Sequence, residues 1–239
     1  MIDSTEIKIQ AFRAIDNLEA CKMFYQGHQK VLADYGLKYV TSANQAWFYD
    51  PGVFVILVKS LDDEITYGGA RIHMAGKDPL PIEDAIGEMD PRIYELTRGD
   101  QAGKRVAEMC GLWNARDMAG TGLSVVLTKS CVAKSGVVIA NQLKINQLFV
   151  LCSPFTVQMV KDTGFSVEES LGDRGRFLYP NPELIATVLR LDDTEMLLHA
   201  EPATRKSIID LRKKPKQKKV EMGPKGKLNI DYDLTIQNL

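Results

Sequence analysis

The chain of 239 residues is long enough for one large domain or two small ones, and 45% apolar with 26% charged residues is ordinary for a globular protein. The formal charge of −1 hides a block. Residues 204–228 hold ten Lys or Arg against Asp210 and Glu221, a local +8 that leaves −9 for the rest. The block reads as a solvated basic tail or a surface for an acidic partner. With no interleaved aromatics, it does not support a nucleic-acid function.

No apolar run approaches the roughly 20 residues of a membrane helix. The start, MIDSTEIKIQAF, shows no signal-peptide pattern. Cys21, Cys110, Cys131 and Cys152 stand singly in apolar segments. They read as buried thiols of a cytoplasmic protein without disulfides.

EIKIQAF at residues 6–12 alternates as a first or edge strand would. Asp16 and Asn17 offer an N-cap for a helix over roughly 17–34, with Leu18, Cys21, Phe24, Tyr25, His28, Val31 and Leu32 on one face and Gly36 as its stop. A core or interface role is expected for His28. A short helical piece is expected around 41–47. Residues 53–58 form an apolar strand, LDDE a turn, and ITYGGARIHM the returning strand. Gly68 and Gly69 there predict a bulge or a close backbone approach. Residues 75–105 are a long polar connection in which PIEDAI forms a short helix with Pro81 in its first turn.

Next comes VAEMCGLWNARDMAGTGLSVVLTKSCVA, residues 106–133. It reads as a strand, a turn with Asn114, Asp117, Gly120 and Gly122, and a helix running to about Ser135 or beyond. The N–H groups opening that helix are a candidate phosphate cradle. Walker A and GxGxxG patterns are absent. VVIANQLKINQLFVLCS continues the alternation, with 145–152 as a buried strand. Pro154 opens a helix with Phe155, Met159 and Val160 inward and Gly164 as its cap. FSVEES and RGRFLYP are short strands, ELIATVLRL a strand or short helix, and ATRKSIIDLRKK a basic helix. PKQKKVEMGPKGK reads as mobile and LNIDYDLTI as a terminal strand.

This element order, with AEMCGLWNARDMAGTGLSVVL, INQLFVLCSP and FTVQMVKDTGF, resembles the GNAT superfamily of acyltransferases over roughly residues 6–190. The resemblance implies an α+β sandwich: a mixed sheet with splayed fourth and fifth strands and helices on both faces. Residues 1–192 would be the GNAT-like domain and 193–239 a basic extension with a possible terminal strand. A narrower likeness in layout is to acyl-homoserine-lactone synthases and N-acyl amino acid synthases, which also have an Arg in the third strand, here Arg71, and a Glu opening the fourth, here Glu108.

The resemblance implies acyl transfer from acyl-CoA or an acyl carrier protein to a small-molecule amine, without a metal. The alternative is a non-catalytic thioester-binding module on the same fold. Leu112, Trp113 and Asn114 would follow the pantetheine arm, and Arg116 would lie near the pyrophosphate. The N–H groups near Gly120, Thr121, Gly122 and Leu123 would meet that pyrophosphate. Glu108 is the candidate general base, or else a structural carboxylate paired to Arg71 or Arg105. Ser153 is a candidate for protonating the leaving thiol, or caps a helix. Arg71 and His73 are candidates for the acceptor pocket, with an exposed strand end as the other reading of His73. Two positions depart from the family pattern: Asp117 stands where a base or amide opens the pyrophosphate motif, and Val160 where many members have a general-acid Tyr.

Overall fold

The computed structural model describes residues 5–37, 40–98, 103–118, 123–129, 134–223 and 226–237. Ten strands form one mixed sheet: β1 (Thr5–Arg13), β2 (Val53–Ser60), β3 (Thr66–Met74), β4 (Val106–Asn114), β5 (Gln147–Cys152), β6 (Ser166–Val167), β7 (Arg176–Leu178), β8 (Ile185–Leu191), β9 (Lys216–Gly223) and β10 (Gly226–Asp233). The order across it is β6-β8-β5-β4-β3-β2-β1-β10-β9, with β7 also pairing β8. Among the described residues seven α-helices accompany it: α1 (Leu18–Asp34), α2 (Pro81–Ile86), α3 (Arg92–Arg98), α4 (Leu123–Thr128), α5 (Gly136–Gln142), α6 (Pro154–Lys161) and α7 (Pro202–Lys213).

Strand alternation divides the core. Phe54, Ile56 and Val58 of β2 join one cluster with Ala70 and Ile72 of β3, Ala107 and Met109 of β4, and residues of α4 to α7. Val53, Val55 and Leu57 point the other way, onto Phe24 and Cys21 of α1. Further along that second face, Ile82, Ile86 and Ile93 of α2 and α3 cover Val106, Phe149 and Val188. Helices therefore lie on both faces of the sheet. Between the two apolar clusters of the second face, β3 and β4 carry polar side chains.

Several local expectations hold. Asn17 caps α1, accepting from Ala20 N at 3.0 Å. Gly36 follows α1 with φ +67°. Gly69 marks a close approach, since a Cβ there would sit 2.3 Å from Ile56 O.

Others are corrected. β1 is an interior strand, antiparallel to β2 and parallel to β10. The 75–105 connection holds a second helix, α3, held by a buried carboxylate: Glu83 accepts from Arg98 Nε at 2.7 Å and Nη2 at 2.5 Å. VVIANQ lies in α5, with its apolar residues Val137 to Ala140 all buried against the first-face core. KQKKVEMG is not mobile but forms β9, hydrogen-bonded along its whole length to β10. Phe155 does not point inward and is 92% exposed, while Val160 is buried as expected. From residue 193 on, α7 and β10 supply Ile208, Leu211, Leu228, Ile230 and Tyr232 to the first-face core.

Candidate active site

Parallel pairing of β4 with β5 runs from Val106↔Gln147 to Met109↔Val150 and stops there among the described residues. β4 continues through Cys110–Asn114 along β3 alone. The two strands splay, leaving a row of β4 backbone groups without a strand neighbour on that side. The split coincides with a bulge. Gly69 faces Trp113 and Arg71 faces Cys110, so Ala70 of β3 stands against both Gly111 and Leu112 of β4. Gly111 has φ +60°, which glycine adopts without strain. A Cβ at Gly111 would lie 3.1 Å from Arg71 Nε, so the missing side chain also makes room for the guanidinium.

Arg71, His73, Glu108 and Cys110 share the second face, and His73 is directly opposite Glu108 in register. Arg71 is completely buried. Its Nη2 donates to Ser42 O, and the guanidinium lies 4.2 Å from the Trp47 ring centroid and 5.4 Å from that of Phe24. Arg71 Nε and Nη1 have no hydrogen-bond partner among the described residues. Burial lowers its pKa, with Cys110 and Glu108 acting in the opposite direction. A buried guanidinium with unmatched donors is an unusual expense in a fold unless an anion completes it.

Glu108 is 2% exposed. Its Oε2 accepts from Ile82 N, in the first turn of α2, at 2.7 Å. Burial raises its pKa to about 8, against the lowering effects of the Ile82 N–H and of Arg71. Among the described residues it forms no salt bridge with Arg71 or Arg105; the Arg105 Nη1 donates to Leu143 O instead. Glu108 is therefore neither of the paired structural carboxylates the sequence allowed. His73 is buried, not an exposed strand end, and its Nε2 has no partner among the described residues. Burial, then Arg71, keeps it neutral.

A cap covers this face. Thr41 Oγ1 donates to Pro81 O at 2.8 Å, and Tyr179 O–H accepts from Thr41 N at 2.7 Å and lies 3.0 Å from Thr41 Oγ1. Three segments far apart in sequence meet there. Burial raises the Tyr179 pKa, and Glu108 adds to that rise at longer range. Sequence reasoning missed Thr41 and Tyr179, since nothing in their local pattern marks them. It also missed Gly111, which a glycine inside a strand could have signalled.

The remaining expected site residues are more scattered. Leu112 is half-buried against the first-face core, and Trp113 points to α1, its ring centroid 5.8 Å from Phe24. Trp113 thus packs away from Leu112. Asn114 Nδ2 donates to Thr128 Oγ1 at 2.6 Å, tying the end of β4 to α4. Arg116 is exposed in a single 3₁₀ turn, Arg116–Met118. Gly120, Thr121 and Gly122 lie outside the described residues, and Leu123 begins α4. Ser153 occupies the N-cap position of α6, but its side chain makes no cap hydrogen bond. The helix-capping role expected of that hydroxyl is therefore not realised.

Several solved structures share this architecture. The chain has the GNAT-like acyltransferase fold. FeeM, an N-acyl amino acid synthase from uncultured soil microbes, superimposes with a TM-score of 0.57 at 14% identity, over 82% of this chain and 97% of FeeM. BjaI, a CoA-dependent acyl-homoserine lactone synthase seen with SAM and isopentyl-CoA, gives 0.53 at 14% identity, over 95% of this chain and 96% of BjaI. An acyl-CoA N-acyltransferase from Pseudomonas aeruginosa gives 0.50 at 11% identity, over 77% of this chain and 98% of that one. At such identities the likeness is one of GNAT-like fold. No family model matches the sequence, and no curated protein matches it either.

Proposed function

We propose that this chain is an N-acyltransferase that moves an acyl group from a thioester, acyl-CoA or acyl carrier protein, to the amine of a small acceptor bearing a carboxylate. The observation that carries this reading is the pairing on one buried face of Glu108, with its pKa pushed up to about 8, and Arg71, with two unmatched guanidinium nitrogens, beside the unpaired stretch of β4. An acceptor ammonium must lose a proton before it attacks. A carboxylate whose pKa lies near that of the amine is a better base than an ordinary one. Arg71 would hold the acceptor's carboxylate through its free N–H groups and so fix the amine toward Glu108. FeeM is an N-acyl amino acid synthase and BjaI is seen with SAM, which carries an α-amino acid group, and both support the same acceptor class.

The unpaired backbone of Cys110–Asn114 would pair with the amide groups of a pantetheine arm, and the start of α4, near Gly120–Leu123 and Arg116, would meet its phosphates. Ser153, at the end of β5, would protonate the leaving thiol, given that Val160 is an apolar core residue. The basic residues of α7 and β9 support an acidic carrier protein as donor. The free thiols Cys21, Cys110 and Cys152 support a cytoplasmic setting, and no described helix is long and apolar enough to cross a membrane.

The test is free-thiol release from a panel of acyl thioesters with amino acids and with the matching amines that lack the carboxylate. The amino acids are expected to react at least about tenfold faster, and Arg71→Met to erase that difference. The rate should climb with pH toward about 8 as Glu108 ionises. Glu108→Gln should remove turnover while thioester binding, read by thermal shift, persists. Binding without release in the unmodified chain would favour the non-catalytic module, to which the apolar Val160 already points.

A further inference from the structure

The acyl transfer proposed above releases one proton per turnover. An ammonium gives its proton to the Glu108 carboxylate, and the freed amine attacks the thioester carbon. The C–N bond forms, the C–S bond breaks, and the thiolate leaves with the second proton of the attacking nitrogen. Glu108 is then a neutral acid, 2% exposed under α2, and must lose its proton before another cycle.

We infer that His73 relays this proton from Glu108 to the rim of the sheet; the inference rests on the acyl-transfer reading. The two residues are Cα partners across β3 and β4, so their side chains stand on the same face, with Cβ atoms about 5 Å apart. The His73 Nε2 is buried and unpartnered among the described residues, which leaves a nitrogen free to accept. β3 ends one residue later at Met74, whose N–H donates to Gly52 O in the turn before β2. Met74 and Ala75 are half-buried and the chain is exposed from Gly76, so the distance from His73 to solvent is short. The other ionisable groups around the pair are Arg71 and Cys110 on the strands, Glu83 and Asp84 of α2, and Tyr179. Arg71 opposes a lasting imidazolium, so a proton that reaches His73 is passed on rather than held. Burial already keeps the resting imidazole neutral.

His73 acts through Glu108 and is a positioning residue, so the test needs a readout that loss of packing would not give. In weak buffer, His73→Ala should lower kcat at least about tenfold while leaving the KM for the thioester unchanged. Added imidazole should restore the rate in proportion to its concentration. A folded, active wild type together with a His73→Ala chain that imidazole does not restore overturns the relay alone. A wild type that acylates no amine overturns the relay and the acyl-transfer reading together. Should His73→Ala fail to fold, the ¹⁵N shifts of the wild-type imidazole decide. A neutral ring with Nε2 unprotonated near pH 7 is expected, and a proton resident on Nε2 overturns the relay.

Discussion

In the folded chain Glu108 takes up its proton near pH 8, against 4.5 for an unperturbed glutamate. Between those values the native state binds one more proton than the unfolded state. Stability from this group is therefore full below pH 4.5 and is lost as pH rises through about 8. Glu108→Gln keeps an oxygen for the Ile82 N–H but cannot ionise. Relative to wild type, the variant should gain about 2–4 kcal/mol on going from pH 5 to pH 9, read from urea midpoints at the two pH values. Gly111→Ala tests the bulge. It places a side chain at φ +60° and 3.1 Å from Arg71 Nε, and is expected to cost about 1–3 kcal/mol by urea denaturation. Glu108 was legible in the sequence because a carboxylate inside an apolar run stands out, and Arg71 only through the likeness in layout to the synthases. The direction of Phe155 was not, since helical periodicity gives a face only when the neighbouring element is known. Tyr179 lies 138 positions from the threonine it binds, a distance no local pattern spans.

The elements above the site are anchored by an ion pair between a buried carboxylate, Glu83, and a partly exposed guanidinium, Arg98. Glu83, 1% exposed, accepts the Leu80 N–H as well as the Arg98 guanidinium, and α2 in turn presents Ile82 N to Glu108. Burial alone would raise the Glu83 pKa, but the Arg98, Thr97 and Leu80 hydrogen bonds prevail and lower it. Glu83→Gln should cost about 1–2 kcal/mol in urea denaturation, because the buried amide NH2 would face the Arg98 or Leu80 donors in place of a charged acceptor, while water reaches the partly exposed Arg98. At this scale β2, β3, β4 and α1 could be read from period and caps. The strand β9 could not be read from charge density alone, since lysines are as characteristic of a sheet edge as of a solvated tail. Its alternation of exposed and half-buried residues is the signal that the lysine count obscured.

For the molecule as a whole, the first strand is held from both sides by chain segments remote in sequence. β10 pairs with β1 from Thr5↔Leu228 to Gln10↔Asp233, and its Leu228, Ile230 and Tyr232 enter the common core. A chain ending at residue 192 would expose the free edge of β1 and the core surface left by α7 and β10. It is expected to aggregate or to lose its cooperative thermal transition, measured by light scattering and calorimetry; a monomer with an unchanged transition would contradict this. The mixed sheet and the splay between β4 and β5 were foreseeable from the GNAT resemblance that the element order carries. The insertion of the last strand next to the first was not, because order along a chain does not fix order across a sheet.

That parallel pairing also sets a timetable. During synthesis from the N-terminus, β2 can meet β1 early, but the opposite edge of β1 has no neighbour until residues 226–233 have been made. Closing the loop between residues 13 and 226 is slow, and the edge left open meanwhile is a template for other nascent strands. Glu6 and Lys8 put charged side chains on that strand, the kind of residue that discourages pairing of an open edge with a neighbouring chain.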